Sequence, residues 1–204
     1  ISYGNPNLES TRRNSFRLSH SLMKRKIILN TSLNYAWANN SLMSLEWIED
    51  GIRYNTFANN GKAQGFSCDI YAQWTPTKST QLMINGSIKY QKYQNSQNLM
   101  NDGWEKNIYA NVKQNLPWKL IFNANIFYWQ GGVTDIYSSG MDYFQYGFNL
   151  SRSFLKEDRL TVKLGAQNPF SSKYRTSTEH TFNGGRTGYY TSKSFVRAFG
   201  INIS

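Results

Sequence analysis

Few side chains in this sequence are equipped for bond chemistry. Twelve acids, two His and one Cys are spread over 204 residues. His20 and His180 stand far apart in the chain, so a His-based metal site is not expected, and no cofactor is expected either. Glu49-Asp50 precedes Gly51 and reads as a hairpin tip. Glu157-Asp158 falls in a short turn. A Ser/His/Asp set built around His180 has nothing in the spacing to fix its geometry, and His180 is expected in an external loop. Gly184-Gly185 lacks the following helix that a phosphate cradle needs. Asn30, Asn85 and Asn149 head N-x-S triplets, chance matches on the polar side of strands. Cys68 sits among apolar residues, where it acts as a small hydrophobe, and a lone cysteine excludes an internal disulfide. The chain is therefore not expected to be an enzyme.

Binding chemistry remains. The net charge of +11 and 16% aromatic content invite a nucleic-acid reading. The cations are scattered, however, and only Lys24-Arg25-Lys26 forms a run, inside a tight turn. No nucleic-acid partner is expected. What the charges do depends on the elements that carry them.

Those elements are strands. Apolar and polar residues alternate along almost the whole chain. Leu29, Leu33, Tyr35 and Trp37 oppose Asn30, Ser32 and Asn34. Leu120, Phe122, Ala124, Ile126 and Tyr128 oppose Asn123 and Asn125. No stretch keeps a helical period, and none approaches the apolar run that a spanning helix needs. Nine antiparallel strands are expected, roughly 13–23, 27–47, 52–74, 80–94, 104–115, 118–130, 143–153, 160–168 and 194–204. Short connections are expected at Lys24–Lys26, Thr75–Ser79, Leu116–Trp118 and Leu155–Arg159. Long ones are expected around Asn39–Asn60, Asn95–Gly103, Gly131–Asp142 and Pro169–Lys193. This alternation of tight turns and long loops belongs to up-and-down membrane barrels.

The fold class expected is thus all-β, an antiparallel transmembrane β-barrel with its apolar face toward lipid. A small soluble barrel with an apolar ligand inside shows the same alternation with the opposite sense. The aromatic positions favour the membrane sense, with the soluble barrel kept as an alternative. Trp118 and Tyr128 bracket one apolar row, a separation of roughly 33 Å along a strand and about 25 Å in height once tilted. Trp37, Trp74, Tyr90 and Trp104 also end rows, where headgroup-level rings are favoured. Lys92, Lys106 and Arg197 lie near row ends, where a long stem can snorkel. An odd strand number leaves two open edges, which lipid does not tolerate. The chain is expected to be one part of a larger barrel or to close with further copies.

Three motifs carry a family resemblance. Tyr3-Gly4-Asn5-Pro6-Asn7-Leu8, then Asn60-Gly61-Lys62-Ala63 with Gly65, then Gly165-Ala166-Gln167-Asn168-Pro169-Phe170 with Tyr174 occur in this order. Together they resemble the C-terminal β-barrel region of TonB-dependent outer-membrane receptors, in the Bacteroidetes outer-membrane β-barrel branch. The resemblance spans nearly the whole chain. It implies a barrel of roughly 22 strands with a plug, of which residues 1–204 are a C-terminal part without the plug. It implies a place in the outer membrane of a Gram-negative bacterium and nutrient uptake. The implied partners are lipid, lipopolysaccharide, the remaining barrel and plug, the TonB complex and a surface lipoprotein. The wet face then carries Arg17, Lys89, Lys113, Lys119 and Lys163 against Asp69 and Glu105. These either favour anionic solutes or pair with acids of the plug. Tyr137, Tyr143, Tyr189 and Tyr190 are candidates to stack on a sugar or siderophore-like ligand. Lys173, Arg175 and Arg186 are candidates for lipopolysaccharide phosphates. A non-transporting binding or adhesion barrel is the other reading of the same residues.

Overall fold

The computed structural model describes residues 1–96, 98–133, 142–155, 157, 159–171, 173–181 and 187–204; within 173–181, 187–190 and 193–195 it describes the backbone alone. The strands are β1 (Arg13–Lys24), β2 (Ile27–Glu49), β3 (Ile52–Thr77), β4 (Thr80–Asn95), β5 (Met100–Leu116), β6 (Leu120–Gln130), β7 (Asp142–Phe154), β8 (Leu160–Gln167), β9 (Lys173–Thr181), β10 (Thr187–Phe195) and β11 (Ala198–Ile203). Nine of them form one antiparallel sheet in the order β1-β2-β3-β4-β5-β6-β7-β8-β11, and β9 pairs with β10 alone. The sheet is open, with β1 and β11 as its edges.

Turn chemistry sets the registers. Lys24 faces Ile27 across Arg25-Lys26. Asp50 and Gly51 both have positive φ, 51° and 78°. That is the two-residue hairpin geometry in which glycine relieves one of two left-handed positions. Pro117 opens the β5–β6 turn, and Trp118 and Lys119 follow with φ of 59° each.

Four expectations are corrected. The region Asn39–Asn60 is not a long connection: β2 and β3 continue through it to the Asp50-Gly51 turn, with register shifts between Ala38 and Ser41 and between Ser41 and Met43. The Pro169–Lys193 stretch contains the hairpin β9–β10, which takes in His180, and the last strand is shorter than expected because Phe195 belongs to β10. Trp118 and Lys119 lie in a turn and do not start β6, so Lys119 is not a wet-face strand residue. β5 begins at Met100, which shortens the preceding connection.

Directly opposed residues in an antiparallel pair share a face. The apolar set therefore runs sideways through the sheet without a break in sense. One row is Leu29–Ala72–Ile84–Ala110–Ile126–Tyr146. Another is Val112–Ala124–Phe148–Ala166–Phe199. Large side chains of this face are exposed on every strand of the sheet, from Phe16 and Leu18 to Ile201 and Ile203. No second layer covers it among the described residues. The small buried core sits elsewhere, where Met43 packs on Ala63, Tyr93 and Leu99 at the long-connection end of the sheet.

Candidate functional site

The other face is the wet one. Its rows read Ser19–Ser32–Asp69–Ser87–Asn107 and Ser21–Asn30–Tyr71–Asn85–Tyr109. Period-two alternation puts each of these beside, and opposite in sense to, the apolar rows. Hydroxyls and amides bond across the strands. Ser21 Oγ donates to Asn30 Oδ1 at 2.7 Å, and Asn107 Nδ2 donates to Ser87 Oγ at 2.7 Å.

Two pairs of the expected binding residues come together. Arg17 Nη2 donates to Ser32 Oγ at 3.5 Å, and Ser32 Oγ donates to Asp69 Oδ2 at 3.1 Å. Ser32 thus relays between a cation on β1 and a carboxylate on β3. Lys89 Nζ lies 3.7 Å from Glu105 Oε2 between β4 and β5. Lys113 faces Gln81 and Asn123, and Lys163 faces Ser151 and Asn202. Neither lysine has an acid within ion-pair distance among the described residues. The wet face therefore keeps two uncompensated cations near its short-turn end. Tyr143 donates to Gln145 Oε1 at 2.6 Å. Tyr189 and Tyr190 belong to β10, opposite Glu179 and Thr178, and only their backbone is described. Tyr137, Arg186 and Gly184-Gly185 lie outside the described residues, as do the side chains of Lys173 and Arg175.

At the long-connection end, Arg13, Lys89, Gln91 and Tyr93 border a concavity of about 330 Å³ that also reaches Asn34 and Ser67. A second, of about 370 Å³, lies over β7, β8 and β11. There Gly165 leaves room for the Asn149 amide: a Cβ at Gly165 would stand 2.8 Å from Asn149 Oδ1.

The interface aromatics fall into two groups. Trp74 pairs with Ile27 and Leu82 beside the short turns, and Trp118, 76% exposed, stands in one of those turns. Toward the long connections, Tyr35 stacks on Trp37 and Tyr90 packs tilted against Trp104, with centroids 5.5 and 5.1 Å apart. Tyr128, between Ile108 and Phe144, stands on the same side. Lys106 pairs with Gln130 on the apolar face. Arg197 lies in the link between β10 and β11.

Three features escaped the sequence reading. Tyr3, Tyr54 and Trp47 form a stacked series on the outer hairpin, with centroids 5.8 and 5.5 Å apart. Counting outward from the Asp50-Gly51 turn would have set Trp47 opposite Tyr54. Arg152 is on the apolar face between Leu150 and Phe154, its guanidinium 4.9 Å from the Phe154 ring centre. Asn168 is 2% exposed and fastens three segments. Its side chain accepts from Tyr146 N at 2.9 Å and donates to Val196 O at 3.1 Å, while its own N donates to Tyr146 O at 2.7 Å. The Asn168-Pro169-Phe170 motif was the available signal for this clasp.

The residues amount to a two-faced sheet, greasy on one side and hydrated on the other, with aromatics toward both ends of the apolar side. No curated protein and no solved structure matches the chain. A family model described as "Outer membrane protein beta-barrel family" matches residues 1–204. Membership places the apolar face against lipid and sets aside the soluble-barrel alternative. The chain belongs to the outer membrane protein beta-barrel family and is a protein of the outer membrane of Gram-negative bacteria.

Proposed function

We propose that this chain is the C-terminal part of a TonB-dependent-receptor-like barrel that takes up a nutrient too large for a porin. The wet face carries this reading. It is continuous over the sheet, is built of amides and hydroxyls, and keeps Lys113 and Lys163 without carboxylate partners among the described residues. Such a wall favours an anionic solute. The edges β1 and β11 pair with the remaining strands of a larger barrel, since unpaired backbone in hydrocarbon costs several kcal/mol per group. The barrel is scaffold and gate and performs no bond chemistry. A plug fills the lumen, the TonB complex acts through the plug, and a surface lipoprotein meets the outer connections.

An adhesion or binding barrel is the second reading, favoured by the stacked Tyr3–Tyr54–Trp47 rings on the outer hairpin. Solute accumulation separates the two. Cells carrying the full-length protein should accumulate a labelled nutrient only while energised, and a protonophore should abolish it. Surface binding that persists in de-energised cells, with no accumulation in energised ones, would replace the uptake reading with the adhesion one.

A further inference from the structure

The lipid-side face carries one cationic cluster that uptake does not use. Lys62 pairs with Gln94, and Gln64 with Lys92, across β3 and β4. The two lysines therefore stand on diagonal positions, about 7–8 Å apart. Alternation from Phe66 and Tyr90 puts both on the apolar face. They border a concavity of about 240 Å³ that includes Trp37, Asn39 and Gln94. Its lining is rich in donors. The Gln64 oxygen accepts the Tyr35 hydroxyl at 3.4 Å, which leaves the amide N–H groups unpartnered among the described residues. The acid opposite Lys92 is Asp102, which accepts the Tyr90 hydroxyl at 2.7 Å. It makes no ion pair with either lysine among the described residues. Lys92 is half-buried and Lys62 exposed. Like charges so placed repel unless an anion lies between them.

The height of the notch identifies the anion. The stacked Tyr35–Trp37 pair lines it, and the tilted Tyr90–Trp104 pair lies next to it on the membrane side. Rings of this kind mark the headgroup level. We propose that Lys62, Lys92 and the Gln64 amide bind the phosphate of an outer-leaflet lipid, whose acyl chains lie along the aromatic rows beneath. The site depends on the orientation of the sheet and not on transport. Two ammonium groups and an amide supply charge-assisted hydrogen bonds to one phosphate.

The test uses the full-length protein in phosphatidylcholine nanodiscs doped with bis-phosphorylated lipid A, with retained lipid counted by native mass spectrometry. The wild type should retain lipid A, and the dephosphorylated form should not be retained. The K62Q/K92Q variant should bind roughly ten- to thirty-fold more weakly, while K62R/K92R should keep most of the affinity. K24Q/K26Q removes the same charge at the short-turn end and should leave retention unchanged. Millimolar inorganic phosphate should not displace the lipid, since it lacks the acyl chains. Equal losses in K62Q/K92Q and K24Q/K26Q, or unchanged retention in K62Q/K92Q with native heat-modifiable gel mobility, would overturn the site. Displacement by inorganic phosphate would overturn its assignment to a lipid.

Discussion

The two faces of the sheet share one backbone and one register, yet they obey different rules. On the apolar side, partners such as Ala110–Ile126–Tyr146 make contact by size alone. On the wet side, partners such as Ser32–Asp69 are held by directed bonds. The apolar face is therefore tolerant of shape but not of charge. The wet face tolerates charge, provided each group finds water or a partner. The outer hairpin is a third environment, where neither rule holds alone. There the N-terminal segment is tied to β2 and β3 by asparagine amides, including Asn59 Nδ2 to Glu9 O at 2.9 Å and Asn40 Nδ2 to Ser10 O at 3.1 Å.

The largest expected contrast comes from placing the same charge on each face of β6. Ala124→Arg puts a cation midway along the apolar row and should cost about 2–4 kcal/mol. Asn123→Arg, one residue away and opposite Lys113, should cost less than about 1 kcal/mol, the size of a cross-strand like-charge pair. Equilibrium unfolding of the full-length protein in phospholipid vesicles reads both. Next in size is Asn168→Ala, which removes two side-chain hydrogen bonds from a buried clasp. A loss of about 1–3 kcal/mol is expected, with faster amide exchange at Tyr146, whose N–H loses its acceptor. Gly51→Ala tests the hairpin tip at φ 78° and should cost about 1 kcal/mol. The smallest effect belongs to Lys89→Gln. The Lys89–Glu105 pair is part-exposed and 3.7 Å long, and its loss should move stability by under about 1 kcal/mol. A larger cost for Lys89→Gln than for Ala124→Arg would erase the distinction between the faces.

The same distinction explains what was legible in the sequence. Wherever one face meets lipid and the other water, alternation is forced. So β4, β6 and β7 were readable to within a few residues from the rows through Leu82, Phe122 and Phe148. β9 reads Lys-Tyr-Arg-Thr-Ser-Thr-Glu-His-Thr, a string with no apolar row, and gives no periodic signal. Asn39–Asn60 read as a connection because Asn pairs stand at both of its ends, although its strands only leave the height at which alternation is enforced. Of the wet-face candidates, the Arg17–Asp69 and Lys89–Glu105 relations are consequences of register, which alternation within single strands does not supply. Ser32, the relay between Arg17 and Asp69, looked like any other polar filler. Arg152 gave no signal at all, because a guanidinium over a ring has no signature in spacing.

The direct test of the orientation is paired cysteine labelling at Phe122 and Asn123 in a Cys68→Ala background. Each single-cysteine variant of the full-length protein would carry a fluorophore in bilayers containing a lipid-soluble quencher. The account predicts strong quenching at 122, little at 123, and the reverse order with a water-soluble quencher. Equal access from water at both positions, or lipid quenching confined to 123, would contradict it.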